Sequence, residues 1–120
     1  MTNVIWKAGA AAAVAVALGG CAGDPPVAQM SAARTMVTQA QPEAMRYSPQ
    51  LLQAAQEKLA LADAAMKKGN NDQARRLAEK AEADARLALA NAEHLRSQQA
   101  LAEVNQSLQA LRQELERRNP

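Results

Sequence analysis

From Leu52 to Leu95 the apolar residues recur at alternating spacings of three and four, with one interruption at Gly69, Asn70 and Asn71. Before the interruption the series is Leu52, Ala55, Leu59, Ala62 and Met66. After it come Ala74, Ala78, Ala81, Ala85, Ala88, Ala92 and Leu95. Such spacing puts each series on one face of a helix and predicts two helices joined by a short turn. A tight connection centred on Asn70 pairs Met66 with Ala74, Ala62 with Ala78, Leu59 with Ala81, Ala55 with Ala85 and Leu52 with Ala88, all in one antiparallel register. The turn chemistry agrees. Gly69 suits the left-handed conformation that ends a helix, and Lys67 and Lys68 suit a helix C-terminus. Asn70 or Asn71 is placed to cap the next helix, with Asp72 in its first turn.

The same rhythm marks a first helix from about Val27 to Ala40, with Met30, Ala33, Val37 and Ala40 on one face and Asp24 and Pro25 at its start. Pro42 and Pro49 bracket a broken segment, Gln41 to Ser48, that holds Tyr47. The second helix starts at Ser48 and Pro49 and runs to Lys68. The third runs from Asp72 to about Arg118 without Gly or Pro. At 1.5 Å per residue it spans roughly 70 Å, more than twice the second helix. Its far half carries larger residues, Leu101, Val104, Leu108, Leu111 and Leu115. The first helix offers Ala40, Val37, Ala33 and Met30 as facing partners for the first four of these. The expected fold is therefore all-α: a long antiparallel, coiled-coil-like hairpin whose first arm is broken near Tyr47. The alternative is a three-helix bundle, in which the first helix folds back beside the second and leaves the Leu101 to Leu115 series free.

Met1 to Gly20 has the parts of a bacterial export signal, namely Lys7, an apolar run from Ala8 to Leu18, and small residues before Cys21. The run falls short of the about 20 residues that cross a bilayer. Leu18, Gly19, Gly20 and Cys21 resemble the lipobox of bacterial lipoproteins. That resemblance implies cleavage before Cys21, a diacylglycerol on its thiol and an acylated N-terminus, since two or three acyl chains anchor stably where one does not. Cys21 is the only cysteine, so no disulfide competes for it. By resemblance to Gram-negative lipoproteins, Ala22 after the cysteine implies sorting to the outer membrane, facing the periplasm. The expected organisation is a signal peptide over 1–20, a tether over 21–26 and an alanine-rich helical domain over 27–120.

A second resemblance covers most of the remaining chain. Tyr47, Ser48 and Pro49, then Leu52, Ala55, Lys58, Leu59 and Ala62, then Asp72, Ala74, Arg75, Leu77, Ala78, Ala81, Asp84, Ala85, Leu87 and Ala88 resemble a bacterial lipoprotein family of unknown function. Its alanine-rich helical domain occurs alone or ahead of an OmpA-like peptidoglycan-binding domain. No OmpA-like pattern follows here, so that activity is not implied. The lipobox with an Ala and Leu heptad helix is also similar to murein lipoprotein, yet the closing Arg118, Asn119 and Pro120 lack the lysine that family uses for covalent attachment.

Composition narrows the function classes. With no Phe, one Tyr and one Trp at position 6, the chain lacks stacking surfaces for bases. The formal charge is +2, of which Lys7 in the leader supplies one, so neither nucleic acid nor a strong polyanion is expected. His94 is the only histidine, and the acids alternate with bases at a spacing of four, as in Asp72 with Arg76, Glu82 with Arg86 and Glu114 with Arg118. Lys67, Lys68, Arg75, Arg76 and Lys80 surround the turn, where helix-end compensation and ion pairing account for most of them. No catalytic set, cofactor site, metal site or small-molecule substrate is expected. The reading is a non-enzymatic structural or adaptor module, lipid-anchored at Cys21, with a protein partner or a second copy of itself. Alternatives are a murein-lipoprotein-like tether without covalent linkage and a self-associating coiled-coil scaffold.

Overall fold

A computed structural model describes residues 23–119. Three helices make up nearly all of that span: α1 (Val27–Tyr47), α2 (Pro49–Lys67) and α3 (Asn71–Arg118). The fold is all-α, as the periodicity predicts. The expected signal peptide and Cys21 lie outside the described residues.

The arrangement of α1 corrects the leading expectation. It does not extend α2 end to end against the far half of α3. It folds back antiparallel to α2 and lies against both other helices, with Arg34 of α1 paired to Asp63 of α2 and Arg96 of α3 paired to Glu43 of α1 at 2.9 Å. Lys58 of α2 pairs with Asp84 of α3 and completes the set, one ion pair for each helix interface. These pairs are partly exposed and contribute about 0.2–1 kcal/mol each, so they mark the registers more than they hold the fold. The result is an up-down-up bundle from which the far half of α3 projects.

The fold-back turns on a single residue. Pro49 crowds the backbone before it and disfavours the helical region for Ser48, and Ser48 takes φ −144°. Its N–H still donates to the Ala44 carbonyl at 2.8 Å, its carbonyl accepts from Leu52 at 3.2 Å, and its buried hydroxyl accepts from Asn91 Nδ2 of α3 at 2.7 Å. Pro42, by contrast, lies inside α1, and the helix runs past the expected break at Gln41 to end at Tyr47. Its ring is on the exposed face, while Ala40 and Ala44 on the opposite face are fully buried. Their packing offsets the interior-proline penalty of about 3 kcal/mol.

The α2 and α3 seams fall as the pattern predicts. Leu52, Ala55 and Ala62 are buried, with Leu59 and Met66 partly so, and Ala74, Ala78, Ala81, Ala85, Ala88 and Ala92 are fully buried. Leu95 is the exception, exposed just past the end of α1. Of fifteen buried apolar residues all but Met30, Val37 and Leu52 are alanine. Alanine lets the helices approach closely, but each buried methyl contributes only about 0.8 kcal/mol where a leucine contributes about 1.5–3. The bundle is consequently thinly stabilised.

The turn between α2 and α3 is a Schellman motif. Gly69 has φ +76°, its N–H donates to the Met66 carbonyl at 3.0 Å, and the Asn70 N–H reaches back to Ala65 at 3.0 Å. Asn70 takes the N-cap position of α3 without a side-chain cap hydrogen bond. An added Cβ on Gly69 meets nothing within 4 Å. Gly69→Ala is therefore expected to cost about 1–2 kcal/mol from conformation alone, measured by urea unfolding. A cost near zero would show that the turn relaxes to a right-handed conformation.

Candidate functional site

Two ends of the molecule differ in chemistry. At one end lie the α2–α3 turn and the first described residues. Asn71 Nδ2 donates to the Gly23 carbonyl, and Arg75 reaches the Asp24 carbonyl at 3.5 Å. Pro26, not Asp24, takes the N-cap position of α1, and its ring is buried. The segment expected to be a tether is docked from Gly23 onward against the start of α3.

At the other end α3 leaves the bundle. From Glu93 to Asn119 every residue is exposed, so the last part of α3 extends about 39 Å past the bundle. Several of its polar groups pair within the arm itself: Gln99 donates to Glu103 at 3.1 Å, Ser107 to the Glu103 carbonyl at 2.9 Å, and Arg117 and Arg118 both reach Glu114. The arm's apolar side chains have no such partner. Leu101, Val104, Leu108, Leu111 and Leu115 are between 46% and 67% exposed.

The direction of this stripe explains why α1 does not cover it. The spacing slips by one residue between Leu95 and Leu101, a gap of six where threes and fours would give seven. At about 100° per residue, the stripe sits about 140° around α3 from the bundle seam. A helix lying on the seam side could not reach it. The slip is legible in the sequence and is the signal that the simple pairing of α1 with the stripe overlooks.

The other candidates are not assembled into a site. His94 is exposed on the arm, with its Nε2 3.0 Å from Gln98 Nε2. Among the described residues no group of three or more His, Cys, Asp or Glu converges to hold a metal. Glu82 pairs with Arg86, and Glu114 with Arg118, as the spacing predicts. Lys67, Lys68, Arg76 and Lys80 are exposed around the turn, and Arg75 is half-buried against the docked segment. A surface groove between α1 and α2 is lined by Gln41, Met45, Pro49, Leu52, Gln53 and Gln56, none of them titratable near neutral pH. No helix among the described residues is long and apolar enough to cross a membrane.

Fold and surface together define an alanine-cored helical module with an apolar arm. The chain belongs to the family described as "Domain of unknown function (DUF4398)", which matches residues 28–104. That stretch takes in α1, α2, the bundle part of α3 and the first turns of the arm. No curated protein and no solved structure matches the chain.

Proposed function

We propose that this chain is a lipid-anchored module of the cell envelope that acts without catalysis, as a structural or adaptor element holding a helical arm away from the membrane. The observation that carries this reading is the polarity of the molecule. The segment from Gly23 docks beside the α2–α3 turn, while the apolar stripe lies at the opposite end of α3. An anchor at Cys21 puts the turn at the bilayer and the tip of the arm on the order of 70 Å from it, given 48 residues in α3. Outer-membrane anchoring facing the periplasm follows from the lipobox resemblance and Ala22. The basic residues around the turn then lie near the headgroups.

Intact mass of the protein purified from membranes is the test. The expected product begins at Cys21 and carries fatty acyl additions, and Cys21→Ser is expected to stay uncleaved without those additions. A water-soluble product that begins at Ala22 without lipid would overturn the anchor and, with it, the assignment of the two ends.

A further inference from the structure

We infer that the stripe on the arm pairs with the same stripe of a second copy of this chain, as a parallel, in-register two-helix coiled coil. The direction of pairing rests on the proposed anchor at Cys21. Spacing assigns Leu101, Leu108 and Leu115 to one core row of a heptad and Val104 and Leu111 to the other. The bundle lies on the far side of α3 from this stripe, so two arms can meet with their bundles outside and no collision between α1 or α2 of the two copies.

Several features point to a second copy as the occupant. The rows beside the core carry Ala100, Asn105 and Ser107, with Arg112 and Glu114 as the only charges beside the apolar stretch. In a parallel pair Arg112 faces Ser107 of the other copy and Glu114 faces Asn119, so no like charges oppose each other. The first core row continues back through His94 to Leu87, which is 54% exposed on α3 although the bundle lies alongside it. Pairing of copies accounts for that leucine as well. His94 and Ser97, which fall in the core rows between Leu87 and Leu101, weaken the contact locally and fix its register, as single polar core residues do. Ten apolar side chains with their small neighbours come to on the order of 1,000 Å² of buried surface, the lower bound for a specific contact.

Parallel direction follows from the ends of the molecule. Copies held in one membrane at residue 21 send their arms the same way. Only a parallel, in-register pair brings a residue against itself at every level, which makes single cysteines diagnostic.

Leu101→Cys, Leu108→Cys and Leu115→Cys are each introduced into the full chain, expressed in the envelope and oxidised. The unsubstituted chain and Gln106→Cys, on the opposite side of the arm, serve as controls. The expected result is a covalent dimer from all three core positions, at least tenfold more than from Gln106→Cys. Dimers from one core position alone indicate antiparallel contact and overturn the inference. So do equal yields from Gln106→Cys, bands joining a protein of different mass, or no cross-linking. The mass measurement at residue 21 is run on the same samples. A lipidated chain that fails to cross-link overturns the pairing alone, and an unlipidated chain that cross-links at all three positions overturns only the anchor.

Discussion

Leu52→Ala lowers the unfolding free energy by about 2–5 kcal/mol, the range for deleting a buried leucine side chain and leaving part of the cavity unfilled. Leu52 is 3% exposed and stands among Val37, Ala40, Ala44, Ala55, Ala85, Ala88 and Ala92, where it is the largest buried side chain. The alanine neighbours have no rotamers with which to fill the space, so any relaxation falls to the partly buried side chains around them, such as Met36 and Leu59. A small domain commonly has only about 5–15 kcal/mol in total. The variant is accordingly expected to be partly unfolded at physiological temperature. The comparison is Leu61→Ala, also on α2 but 57% exposed, which is expected to change stability by no more than about 0.5 kcal/mol. Circular dichroism during urea unfolding measures both. Equal effects at the two positions would mean that α2 does not bury the face described.

Ala81→Asp has an expected effect of similar size, on the order of 3–5 kcal/mol at neutral pH, because it puts an unpaired charge where none can be solvated. Ala81 is fully buried, and its cluster of Met30, Ala33, Ala62 and Ala78 offers no hydrogen-bond donor from a side chain. An aspartate is too short to carry its carboxylate out to water as a lysine or arginine stem does. Desolvation raises the folded-state pKa of the new carboxyl above its unfolded value near 3.9. The native state then binds more protons than the unfolded chain in the interval between those two values. Stability therefore falls as pH rises through that interval and recovers as pH drops toward 4. Ala81→Asn has nearly the same shape and no such titration. The measured quantity is the stability gap between the two variants, which is expected to widen from pH 4 to pH 7. A gap that stays constant would show that position 81 is reached by water.

Both predictions rest on the alanine core, and the spacing of residues along the chain is enough to reveal that core. The seam residues from Leu52 to Ala92 emerge buried or partly buried where the spacing of threes and fours put them. Gly69 emerges with the positive φ that its place after Lys67 and Lys68 implied. The candidate surface was legible as a set of residues, because Leu101 to Leu115 is a plain heptad series. Its direction was legible too, in the six-residue step from Leu95. Its exposure was not, because that depends on where α1 goes.

The course of α1 separates what each level determined. Sequence by itself determined the number of helices and the course of α2 and α3, the turn at Gly69, the α2–α3 register and the apolar stripe, since each follows from local conformational preference or from which residues share a helix face. Two prolines in similar surroundings, Pro42 and Pro49, had opposite outcomes, and only the tertiary structure decided between them. At Pro49 the reversal gains a buried Ser48 bonded to Asn91, and at Pro42 the helix continues because Ala40 and Ala44 on its far side are packed. A methyl group has almost no shape with which to choose a partner, so an alanine face accepts either an end-to-end or a folded-back helix. The choice falls to longer-range contacts, Met30 and Val37 in the core and the Arg34–Asp63 and Arg96–Glu43 pairs at its edge, which exist only once all three helices are assembled.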